Sequence, residues 1–142
     1  MEPKEGLRTT VSCTRLFEFE ACHHLEGYDG DCSRMHGHTY KLEVTVGVTF
    51  EMTSRCVQSK IINQPGSMVM DFKVLDKMVK DHIVSEVDHR NLDDVFLAGP
   101  TTAENMVCTI AHTLDELMPH NISLIKVVLW ETSKSCATWE RE

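Results

Sequence analysis

The chain has 142 residues, of which 42% are hydrophobic and 25% charged, a composition that fits one globular core and excludes a disordered tract. A formal net charge of −8 at pH 7 removes the basic footprint on which nucleic-acid binding depends. No window approaches the roughly 18 apolar residues of a membrane span, and the polar start, MEPKEGLRTT, lacks the apolar centre of a signal peptide. The expectation is a cytoplasmic chain forming one domain over residues 1–142, with residues 1–9 flexible. Its partners are then small molecules or other proteins, not nucleic acid or membrane. In that compartment Cys13, Cys22, Cys32, Cys56, Cys108 and Cys136 read as thiols, metal ligands or catalytic groups, not as a disulfide framework.

The first pattern, TTVSCTRLFEFEACH, places Val11, Cys13, Phe17, Phe19 and Ala21 on one phase of a period of two, which predicts a long half-buried strand. GYDGD then supplies turn residues. In HTYKLEVTVGVTF, Tyr40, Leu42, Val44, Val46, Val48 and Phe50 alternate with polar or small residues, as in an antiparallel strand with one wet face. Residues 51–62 are ambiguous and admit a short strand, and NQPG at 63–66 signals a turn.

Phe72, Leu75, Met78, Val79, Ile83 and Val87 carry the spacing of an amphipathic helix, with Asp71 placed to cap it. After the polar loop DHRNLDD, Thr101 and Glu104 have capping-box spacing. They open a second helix whose stripe is Ala103, Met106, Val107, Ile110, Ala111, Leu114 and Leu117, ended by Pro119. ISLIKVVLWE is apolar on both phases and predicts a strand covered on both faces. The order of elements is α+β, with helices on one face of an antiparallel sheet.

Residues 22–40 hold four histidines and two cysteines, and strand phase sorts them. His23 continues the phase of Phe17, Phe19 and Ala21, whereas His24 falls on the opposite one. His36 and His38, flanking Gly37, continue the phase of Tyr40 and Leu42, and residues two apart in a strand point the same way. Three imidazoles with a free fourth position match a catalytic zinc site. The competing arrangement is a closed Cys2His2 site of Cys22, Cys32, His36 and His38. If Cys32 is not a ligand, a cation nearby lowers its thiol pKa and makes it a base or nucleophile.

Asp88-His89, where the first helix runs out, can act as a proton donor or acceptor with a carboxylate setting its state. Glu131 ends a strand that reads as buried, so its carboxylate needs a partner; an amidine-like heterocycle edge or an arginine would serve. His82, His112 and His120 show no comparable convergence.

Taken in order, FEFEACH, CSRMHGHTY, GSMVMDF, VDHRNLDD, PTTAEN and WET resemble the 6-pyruvoyltetrahydropterin synthase family. The Cys32-to-His38 spacing, CxxxHGH, is most similar to its 6-carboxytetrahydropterin synthase branch, which acts in queuosine-type 7-deazapurine synthesis. The resemblance implies the tunnelling fold: a four-stranded antiparallel sheet with two helices on one face, oligomerising into a barrel, often as a dimer of trimers. It implies zinc on His23, His36 and His38, Cys32 as proton acceptor, and His89 in the relay assisted by Asp88. Glu131 would anchor the pterin ring, with Thr102 and Glu104 as further substrate-binding candidates. The implied reaction converts 7,8-dihydroneopterin triphosphate to 6-carboxy-5,6,7,8-tetrahydropterin, releasing acetaldehyde and triphosphate. The alternatives are the pyruvoyl-forming synthase, which keeps the three-carbon side chain, and a zinc- and pterin-binding module without turnover.

Overall fold

The computed structural model describes residues 6–52 and 64–142. Among the described residues, five strands form one sheet in the order β3-β1-β2-β4-β5: β1 is Leu7–His23, β2 His36–Met52, β3 Arg90–Asn91, β4 Ser123–Thr132 and β5 Ser135–Glu140. The four long strands are antiparallel. The expected all-antiparallel, four-stranded sheet is corrected by β3, which pairs parallel with Ala21 and Cys22. Two residues carry no readable alternation, so the segment passed for loop. β1 starts before the alternation does, at Leu7. Residues 1–5, most of the segment expected to be flexible, and 53–63, most of the ambiguous stretch, lie outside the described residues.

β1 and β2 pair over their full length, from Leu7 opposite Met52 to His23 opposite His36. Along this ladder the predicted apolar phases are buried toward the histidine end, Phe17, Phe19 and Ala21 on β1 and Tyr40, Leu42, Val44, Val46 and Val48 on β2, whereas Cys13 and Phe50 are only partly covered and Val11 is exposed. The β2–β4 register shifts between Thr45 and Val46. There Gly47 is required by space, because a Cβ would come within 2.9 Å of Ile125 and 3.1 Å of the Val11 carbonyl oxygen.

Helix α1, Phe72–Val79, is capped by Asp71, whose carboxylate accepts from the Lys73 amide. It continues through a π segment, Lys80–Val84, into a last turn, Ser85–Val87. The π turn has a sequence cause. Leu75, Val79, Ile83 and Val87 are spaced by four, a line that drifts about 40° per step around a regular α-helix; the wider turn returns it to the core, where all four are buried. Phe72, assigned to that stripe, is exposed.

Helix α2, Ala103–Leu117, buries Ala103, Met106, Val107, Ile110, Ala111 and Leu114 in the same core cluster as the sheet face. Its cap is Thr102, which accepts from the Asn105 amide, so the expected box of Thr101 and Glu104 is displaced by one residue. The Thr101 hydroxyl is engaged elsewhere, with Asp93. No helix among the described residues is long and apolar enough to cross a membrane.

Candidate metal centre

The regular ladder that buries the core also ends in the histidines. His23 faces His36 across the strands and His38 faces Ala21, so all three imidazoles leave the sheet on its core side. Candidate ligand atoms of His23, His36 and His38 lie within 4.8 Å of one another, and theirs is the one such group among the described residues. Ring centroids are 4.6 Å apart for His23 and His36, 4.8 Å for His36 and His38, and 5.3 Å for His23 and His38.

Hydrogen bonds assign the ring nitrogens. His23 Nδ1 lies 2.9 Å from the Thr101 carbonyl oxygen, and His36 Nδ1 lies 2.7 Å from that of Arg34. Since carbonyls only accept, both Nδ1 atoms carry the proton and both Nε2 atoms keep a lone pair for a metal. His23 Nε2 and His38 Nε2 are buried with no hydrogen-bond partner among the described residues. Buried polar atoms are almost always paired, so these orphans mark a place that an ion would complete. Burial holds His38 below its ordinary pKa against an opposing pull from Glu131, with smaller lowering from the neighbouring imidazoles. Neutral imidazole is the ligating form. The donor set of three nitrogens suits a divalent ion such as zinc.

Two acidic or phenolic groups border the centre. Glu131 Oε1 is 3.4 Å from His38 Nε2, in ion-pair range but without hydrogen-bond alignment. The Tyr40 hydroxyl is wholly buried beside the histidines and is a third polar atom without a partner among the described residues. Its burial, then the charges of Glu131 and Asp93, push its phenol above the usual range. Sequence reading took Tyr40 for core alone, although it continues the phase of His36 and His38.

The remaining candidates are dispersed. Cys22 Sγ points to the Arg90 carbonyl oxygen at 3.8 Å, and neither it nor Cys32 belongs to the histidine group; the closed Cys2His2 arrangement is not formed. Cys32 is half-buried in a 3-10 turn, Asp31–Ser33, pinned by the Leu25 amide donating to its carbonyl at 2.8 Å. Asp88 Oδ1 accepts from the Glu20 amide and lies 3.0 Å from His89 Nδ1. The Glu20 amide, followed by smaller contributions from His89, holds the Asp88 carboxyl below its usual range against some desolvation. His89 has φ 56° and lines, with His38, Cys22, Glu20 and Asn91, an open cleft of about 500 Å³. Thr102 caps α2 and Glu104 is exposed in its first turn. Gly37 also lines that cleft; a Cβ there would meet only ordinary contact, 3.5 Å from the Ala21 carbonyl oxygen.

Sequence reading missed Asp93. Its Oδ2 accepts from the His24 amide at 3.0 Å and lies 2.6 Å from His24 Nδ1. Burial works against its charge, but hydrogen bonds from Thr101 and His24 keep its carboxyl below the ordinary range. His24, which lies just past the end of β1 and is not part of the histidine group, is raised above its usual pKa chiefly by that bond to Asp93.

The profile of the family described as 6-pyruvoyl tetrahydropterin synthase matches residues 12–142. The 6-carboxy-5,6,7,8-tetrahydropterin synthase of Haemophilus influenzae is 28% identical, covering 89% of this chain and 96% of its own. The dihydroneopterin monophosphate aldolase of Pyrococcus furiosus is 33% identical, covering 80% and 82%. Among solved structures, the 6-pyruvoyl tetrahydropterin synthase of Caenorhabditis elegans superposes with a TM-score of 0.73 at 26% identity, over 96% of this chain and 99% of that one.

Proposed function

The chain belongs to the 6-pyruvoyl tetrahydropterin synthase family, and from that premise we propose that it converts 7,8-dihydroneopterin triphosphate and one water to 6-carboxy-5,6,7,8-tetrahydropterin, acetaldehyde and triphosphate. The observation that carries a metal-assisted reading is the pair of buried, unbonded Nε2 atoms of His23 and His38 in a three-imidazole group. Zinc held by His23, His36 and His38 would supply a Lewis acid that polarises side-chain oxygens of the substrate. Cys32 accepts a proton from the side chain, and His89, oriented by Asp88, passes protons between side chain and ring. Glu131 takes the amidine edge of the pterin through two parallel hydrogen bonds, and Thr102 and Glu104 are further substrate-binding candidates. The reading includes a cytoplasmic homo-oligomer of one domain per chain, most simply a dimer of trimers, with the product feeding 7-deazapurine synthesis.

The Cys32-to-His36 spacing supports the carboxy-forming reaction. The pyruvoyl-forming reaction is the second reading, supported by the likeness to the nematode synthase. Incubation of zinc-loaded protein with 7,8-dihydroneopterin triphosphate, followed by product mass, separates them. Acetaldehyde with triphosphate is the expected outcome. Triphosphate with a retained three-carbon side chain selects the second reading, and tight pterin binding without turnover selects a binding module.

A further inference from the structure

A chain of hydrogen bonds leads from the buried His23 imidazole to the surface. Its Nδ1 lies 2.9 Å from the Thr101 carbonyl oxygen and 3.2 Å from Thr101 Oγ1. That hydroxyl donates to Asp93 Oδ1 at 2.7 Å, and Asp93 Oδ2 accepts from the His24 amide at 3.0 Å. The direction is set at the carboxylate end, because a carboxylate only accepts. The Thr101 proton therefore points at Asp93, and Oγ1 turns its lone pairs to His23. Both groups facing Nδ1 are then acceptors.

We infer that Asp93, acting through the Thr101 hydroxyl, is a positioning residue for His23: it fixes the Nδ1–H form and the ring orientation that present Nε2 to His36 and His38. The inference rests on the proposed role of His23 as a metal ligand. It distinguishes His23 from His36, whose Nδ1 meets a single carbonyl two residues away. With Asn at position 93, the amide oxygen must face the His24 N–H, and its NH2 then donates to Thr101 Oγ1. The Thr101 hydroxyl is freed to donate to His23 Nδ1, the wrong direction for a ligand. Such outer-shell partners orient metal-bound histidines generally.

The test uses the full chain, metal-free and 15N-labelled, with long-range 1H–15N correlation spectra reporting the His23 tautomer and chelator competition reporting zinc affinity. The wild type should show Nδ1–H. Asp93→Asn should move His23 toward the Nε2–H form and weaken zinc binding about 10–100-fold, while Thr101→Val, which leaves only the position-101 carbonyl facing Nδ1, and Thr101→Ser should both keep Nδ1–H. Unchanged tautomer and affinity in Asp93→Asn would overturn the inference, as would a loss of thermal stability with no tautomer change in that variant, or an Nε2–H form in Thr101→Val. Should the variants not fold, an Nε2–H form in the wild type overturns it equally. A wild type that binds no zinc sinks the ligand reading instead, and the tautomer comparison still decides the positioning role.

Discussion

The histidine centre and the Asp88–His89 corner meet neighbouring residues of β1 yet are held in opposite ways. His23 is 1% exposed, with its backbone held by strand pairing and its Nδ1 engaged by Thr101. His89 has 75% of its side chain exposed and stands on a left-handed backbone, anchored mainly through its amide, which donates to the Glu20 carbonyl at 2.6 Å. A metal needs several donors at fixed distances, which two paired strands supply. A proton carrier needs access and one orienting neighbour, which a turn supplies more readily. The centre is therefore held from two paired strands, and the corner is a single side chain on a strained, left-handed backbone.

The sharpest way to break this comparison is His36→Ala. Zinc affinity, read by chelator competition, should fall by more than the roughly 10–100-fold that outer-shell changes cost, with triphosphate release lost as well. His89→Gly should do the reverse. Turnover should drop about 10²–10⁴-fold, zinc affinity should hold, and thermal unfolding should show equal or greater stability because glycine accepts φ 56° freely. Zinc loss in that variant would mean that the corner and the centre are one unit.

Tyr40→Phe probes the edge of the centre. Removing a buried hydroxyl without a partner should raise the stability of the metal-free protein by about 1 kcal/mol, measured by denaturant titration. A decrease would show that the hydroxyl is paired in solution.

The smallest expected effect is Asp88→Asn. The Asp88 pKa is depressed in the fold, so its ionised form stabilises above the unfolded value of about 3.9 and that contribution is lost as pH falls through the lower folded value. The melting difference between wild type and variant should be present at neutral pH and vanish in acid. A difference that persists in acid would place the effect in packing.

Phase made the centre legible because β1 and β2 stay regular to their ends, with Ala21 opposite His38 and His23 opposite His36. Nothing comparable announces Asp93 or Thr101. Asp93 meets His24 across 69 positions, and the threonine beside Thr101 offers the same hydroxyl, so sequence placed the helix cap one residue early. β3 escaped notice because two residues have no period, and its position becomes meaningful only against Ala21 and Cys22. Helix α1 was legible as a stripe but not as a π turn, since spacing by four is read equally well by eye in a regular helix.

The β1–β2 ladder has one further consequence, for folding. β1 and β2 are 17 residues each, and a slip of one residue in their pairing would send every side chain of one strand to the other face. Such a slip parts His36 and His38 from His23. An ion that requires all three therefore binds only the correctly paired ladder and stabilises it by mass action, about 4 kcal/mol at a thousandfold excess over its dissociation constant. An ion held by all three would thus favour the native alignment of the two strands over a slipped one.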